Sequence, residues 1–161
     1  MARVEERIHI HRPVDHVWSV LIDWEAQSEW MLDARSVSVT SPHREGVGVT
    51  LRVPTDIAFG VVVTDEMEVT GWEEHRRIAV RHTGRIIVGT GAFELAPTRR
   101  PGGKGGTIFT WYEDIDPPLG RLGELVTRHV VVPYVAAVFR RSLRALKAVA
   151  EGDPARAGRA R

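Results

Sequence analysis

The stretch "GTIFTWYEDI" (Gly106–Ile115) alternates side-chain character residue by residue, the period of a β-strand with one buried face. Phe109, Trp111 and Ile115 share a face, and the same parity puts Glu113 among them. A carboxylate held in a dry apolar core costs several kcal/mol or takes up a proton. The strand therefore poses the question of what occupies the space in front of it.

Upstream, "RSVSVT" (35–40), "VGVTLRV" (47–53), "FGVVVTDEMEV" (59–69), "RRIAVRH" (76–82) and "IIVGTGAFEL" (86–95) are strand-like, and "SPHREG", "VPTD", "GWEEH", "HTGR" and "APTRRPGGKGG" supply the Gly, Pro and polar residues of reversals. Six consecutive strands imply an antiparallel meander. Before them, Val4–Ile10 is another strand. Pro13 then opens a short amphipathic helix through Val14, Val17, Trp18, Leu21 and Ile22, and "DWEAQSEWML" (23–32) suits a second short helix. The last element is expected to be a long helix from about Leu119 to Ala150, with Pro133 inside it kinking the axis and rotating the apolar stripe. One domain over residues 1–151 is expected, followed by a disordered basic tail at 152–161.

With 161 residues and 43% hydrophobic content the chain can bury one sizeable core. A formal net charge of +1 lacks the basic surplus of a nucleic-acid binder. Without cysteine there is no disulfide framework and no thiolate metal site, and "MARVEERIHI" lacks the apolar stretch of a secretory signal, so a cytoplasmic location is expected. The longest apolar runs are too short to span a bilayer. The oligomeric state is left open.

Strand parity gives an inner face that is apolar (for example Val47, Val49, Leu51, Val53, Val61, Val63, Met67, Val69, Ile78, Phe93 and Phe109) apart from Asp65, His82 and Glu113. The simplest physical account is a pocket between a bent sheet and the C-terminal helix, which those three side chains face. A dry void of only about 300 Å³ would cost up to about 7 kcal/mol, so a pocket of that size is expected to hold a ligand. A single bulge reverses parity, so Glu113 has an inward and an outward reading, and for Asp65, in the longest strand, the outward one is preferred. His82 is a hydrogen-bonded rim histidine or a catalytic one. His129, on the stripe of the long helix, flanks the cavity or faces it. Trp24, Trp30 and Trp111 are core residues or ligand platforms, with Trp30 at the pocket mouth preferred as a platform.

"GGKGGT" lacks the Gly-Lys-Ser/Thr ending of a phosphate loop and joins two strands. "HIH" (9–11) has no third ligand nearby in sequence, and neither a serine nucleophile elbow nor an HExxH pattern is present. No metal and no cofactor is therefore expected.

"RPVDHVWSVLIDWEAQSEWM", "GTGAFELAP", "GTIFTWYEDI" and "PPLGRLGELVTRHVVVPYVAAVFRRSLRALKAVAE" together resemble the START-like superfamily, also called Bet v 1-like or SRPBCC proteins, and within it the polyketide cyclase/dehydrase and lipid-transport group. The resemblance implies an α+β helix-grip fold: a seven-stranded antiparallel sheet curved around a long C-terminal helix, two short helices after strand 1, and an internal cavity. It also implies a hydrophobic small-molecule ligand, polycyclic, polyketide-like or lipid-like, held by a carrier or by a sequestering protein that gives antibiotic self-resistance in secondary metabolism. On the residues' own reading, Trp24, Trp30, Asp65, Met67, His82, Phe93, Trp111, Glu113, His129 and Tyr134 would contact that ligand. The alternative is a cyclase or dehydratase in which Glu113 removes a proton next to a carbonyl while His82 steadies the enolate. A third possibility is a regulator that meets a partner through its outer surface.

Overall fold

In the computed structural model, residues 2–58, 60–99, 105–116 and 127–152 are described. Seven strands form one antiparallel sheet: β1 (Ala2–Ile10), β2 (Ser38–Val39), β3 (Thr50–Ala58), β4 (Val61–Glu73), β5 (Arg77–His82), β6 (Gly89–Thr98) and β7 (Gly106–Ile115). Their spatial order is β1-β7-β6-β5-β4-β3-β2, so every pair but β1–β7 is consecutive in the chain. Helix α1 (Val14–Ile22) and a 3-10 turn (Glu25–Glu29) separate β1 from β2, and a π-helical turn (Thr127–Val131) leads into helix α2 (Val132–Glu151). This is the helix-grip architecture.

The π-helical turn and α2 form one continuous helical run, and Pro133 lies inside it as expected, at the junction where the hydrogen-bond pattern changes from π to α and the missing N–H is accommodated. Leu119–Val126, including the expected stripe of Leu122, Leu125 and Val126, lie outside the described residues, as do residues 153–161 of the basic tail and Arg100–Lys104 of the glycine-rich hairpin. The buried face of α2, including Phe139, Leu143 and Leu146, packs across the sheet chiefly against β1. Arg140 of α2 reaches back to Glu6 of β1 at 2.6 Å.

Sheet parity fails where backbone geometry interrupts it. Val47 is 60% exposed because Gly46 and Gly48 both take positive φ (91° and 89°), so the strand starts only at Thr50. Val61 is also exposed, beyond a register shift at Asp56/Ala58. "VPTD" is not a turn: Pro54 sits inside β3, opposite Thr64. Its carbonyl accepts from Arg35 N–H at 2.8 Å, so its nitrogen also faces the open side of the strand and no bond to β4 is lost. Gly71–Glu73, expected in a turn, extend β4 through a second register shift at Val69/Gly71, and the reversal follows at His75, with φ 59°. β2 is reduced to two residues, and Ile86 and Val88, expected in a strand, precede β6 and are exposed.

Gly89 opens β6 at φ 145°, and a Cβ there would lie 2.1 Å from the Asp114 carbonyl oxygen on β7. Gly89→Ala should cost roughly 2–4 kcal/mol through the clash and the strained φ. Urea unfolding reads this, and a loss below about 0.5 kcal/mol would show that β6 enters the sheet differently.

Candidate functional site

A cavity of about 640 Å³ separates the concave face of the sheet from α2. Its wall is mostly apolar: Leu51 and Val53 of β3, Met67 of β4, Ile78 and Val80 of β5, Phe93 of β6 and Trp111 of β7 on one side, with Val135, Val138 and Phe139 of α2 on the other. Trp111 stacks on Phe139 with ring centroids 3.7 Å apart, and Phe93 meets the Trp111 ring edge-on at 5.4 Å. Ile86, Val88, Val130 and Tyr134 line the cavity and are exposed, which makes them its mouth.

Parity in β4 holds between its two register shifts, so Asp65 points inward. It is 6% exposed, contrary to the outward reading preferred from sequence. Both Asp65 carboxylate oxygens lie 2.9 Å from His82 Nδ1 on the neighbouring strand β5. Burial works against the charged imidazolium, but the Asp65 hydrogen bond and the negative charges of Glu113 and Asp65 outweigh it, so His82 is raised above its ordinary value. Glu113 lines the same cavity. Desolvation pushes its carboxyl up to about 7, opposed by the positive charge of His82 and a hydrogen bond with the Trp111 side chain, and assisted by the charges of Asp33 and Asp65.

No sequence pattern marks Asp33, which lies in a connection without periodicity. Two backbone bonds fix it: Asp33 C=O accepts from Asp56 N–H, and Arg35 N–H donates to Pro54 C=O, each at 2.8 Å. Its side chain lines the cavity, and burial raises its carboxyl to about 6. Its Oδ1 is buried without a hydrogen-bond partner among the described residues. The one available signal is an acid two residues after the apolar pair Trp30–Met31.

Of the other expected contacts, Trp24, Met67, Phe93, Trp111 and Tyr134 lie in the cavity wall. Trp24 is held by its indole N–H, which donates to the Arg44 carbonyl at 2.8 Å. Trp30 does not reach the mouth. It is fully buried behind the wall, against Phe93 and Trp111, because the 3-10 turn rotates it inward and Leu32 N–H is anchored on Ser142 Oγ of α2. His129 is exposed on the π-helical turn and is not among the described lining residues, whereas its neighbours Val130 and Val131 on the same turn are.

These groups give stability a pH dependence of defined sign. Glu113 and Asp33 keep their protons to higher pH folded than unfolded, so as pH rises the unfolded chain releases them first and stability falls between about pH 4 and 7. His82, raised when folded, also loses its contribution as pH rises. Glu113→Gln should therefore stabilise the protein by up to about 3 kcal/mol at pH 8 and by almost nothing at pH 4. Urea midpoints at the two values check this, and an equal shift at both would contradict it.

The family described as polyketide cyclase/dehydrase and lipid transport matches residues 1–151. Among solved structures, TTHA0849 from Thermus thermophilus is similar with a TM-score of 0.76 at 19% identity, covering 94% of this chain and 98% of its own. A START superfamily protein from Mycobacterium smegmatis gives a TM-score of 0.61 at 15% identity over 93% and 94% of the two chains. The Aha1 dimer from Colwellia psychrerythraea gives 0.66 at 14% over 95% and 98%. At these identities the structures support the fold alone. No curated protein matches the sequence. No helix among the described residues is long and apolar enough to cross a membrane. Sheet, gripped helix and hollow interior agree with the match over nearly the whole chain: it belongs to the polyketide cyclase/dehydrase and lipid-transport family of START-like proteins.

Proposed function

We propose that the protein binds a hydrophobic small molecule, polycyclic, polyketide-like or lipid-like, in its internal cavity and serves as a carrier or sequestering protein of secondary metabolism. The observation that carries this reading is the cavity: about 640 Å³ with a predominantly apolar wall, within the size range of small-molecule sites. Left dry, such a volume would cost about 15 kcal/mol, as much as the whole stability of a typical domain. Water or a guest must fill it, and aromatic and branched aliphatic walls favour the guest. Phe93, backed by Trp111, offers a flat surface, while His82, Asp65 and Glu113 offer polar anchors. Titration with the uncharged fluorophore N-phenyl-1-naphthylamine tests the reading. It predicts saturable, one-site enhancement with energy transfer from tryptophan, and an unsaturable response would contradict it.

A second reading has its own support. A carboxyl pushed up to about 7, near a histidine that a buried aspartate holds above its ordinary value, is poised for proton transfer near neutral pH. In a cyclase or dehydratase, Glu113 would take a proton next to a carbonyl and His82 would stabilise the enolate oxygen. Glu113→Gln should then abolish turnover, by about 100-fold or more, while a guest still binds. Unchanged product formation would remove Glu113 from that role.

A further inference from the structure

The cavity wall is apolar but its ionisable groups are strongly one-sided. Among the described lining residues are five carboxylic acids, Asp33, Asp56, Asp65, Glu113 and Asp116, with one histidine and no lysine or arginine. Two of the five are paired with basic side chains of the protein itself: Asp56 with Arg35 at 2.8 Å, and Asp65 with His82 at 2.9 Å. Asp116 is exposed at the end of β7, where water solvates it. Asp33 and Glu113 are left inside. Among the described residues, Asp33 Oδ1 is buried with no hydrogen-bond partner, and Glu113 meets the Trp111 side chain and shares with Asp65 the one histidine of the cavity. A buried acceptor without a donor is a cost the fold carries, and a ligand donor can relieve it.

The missing counterpart is organic rather than metallic, since no group of three or more His, Asp or Glu among the described residues is arranged to hold a metal ion. The same cavity presents Phe93, only partly buried, whose ring face attracts a cation as well as hydrocarbon. A carboxylate guest would meet Glu113 and Asp33 without any guanidinium or ammonium to offset the repulsion.

We propose that this cavity selects apolar guests that carry one basic nitrogen, placing the ammonium against the Glu113 and Asp33 carboxylates, and rejects guests that carry a carboxylate. The inference rests on the cavity-binding reading above. Burial of the two acids, which holds their protons to about 7 and about 6, is the state an ammonium would reverse, forming charge-assisted hydrogen bonds with the ionised carboxylates.

Three probes on one scaffold separate the possibilities: 1-naphthylmethylamine, 1-methylnaphthalene and 1-naphthoate, titrated calorimetrically at pH 8 into the full chain. The amine is expected to bind about tenfold or more tightly than the hydrocarbon, the acid about tenfold or more weakly, and Glu113→Gln with Asp33→Asn to shrink the amine's advantage to less than about threefold. Binding of the hydrocarbon with no preference for the amine overturns this inference and leaves cavity binding standing. So does an amine preference that survives in the doubly substituted protein. Failure of all three probes to bind overturns the cavity reading and this inference with it.

Discussion

Replacing Trp111 with alanine should cost about 4 kcal/mol, the largest stability loss expected from one side chain lining the cavity. The indole is 4% exposed and lies at the centre of an aromatic cluster: stacked on Phe139 at 3.7 Å and edge-on to Phe93 and Trp30 at 5.4 and 6.2 Å. Deleting it removes the main contact between β7 and α2 on the cavity side and enlarges a hollow that is already large. The sheet cannot collapse to fill it, because β7 is paired on both sides, with β1 and with β6. Urea unfolding gives the value. A loss under about 1.5 kcal/mol would mean that α2 does not rest on the sheet through this stack.

The second large effect concerns binding. Val80 on β5 and Val138 on α2 both line the cavity from opposite sides and are only partly buried, because each faces open space rather than packed atoms. Val80→Trp with Val138→Trp would put two indoles into that space and should weaken binding of an uncharged polycyclic guest about tenfold or more. Stability should change little, since filling a void offsets the strain that overpacking brings to a dense core. Val47→Trp is the control. Val47 is exposed and outside the lining, so its substitution should leave affinity unchanged. Equal losses from both proteins would place the guest elsewhere.

Most of the sheet was legible because its inner faces follow a strict two-residue period. Val49, Leu51 and Val53, then Val63 to Val69, then Ile78 to His82, then Phe109 to Glu113 all fall where alternation places them. The misreadings have local causes. Two positive-φ glycines displace Val47, and Pro54, taken for a turn residue, is tolerated because its nitrogen faces the open side of β3. Asp65 was turned outward by an expected bulge. Register shifts do occur on both sides of it, yet neither falls between Val63 and Val69, and the buried ion pair with His82 makes its inward position tolerable.

The site was legible only in part. Strand residues such as His82 and Glu113 carry their direction in their position, whereas a residue in a connection does not. Asp33 owes its place to backbone bonds with β3, which link Asp33 to Asp56 and Arg35 to Pro54 far along the chain, and no local pattern announces them. Trp30 was misplaced for the same reason: composition marks it as burying surface, but the direction in which a 3-10 turn aims it depends on Ser142, far along the chain.

The claim that the interior is a solvent-connected hollow built to take an apolar guest is tested most directly by nuclear Overhauser contacts between the protein and bound 1-methylnaphthalene. The account predicts contacts from the guest to the methyl groups of Val53, Val80 and Val138, on β3, β5 and α2 around one space. Contacts confined to exposed valines outside the cavity, such as Val47 and Val62, would contradict it.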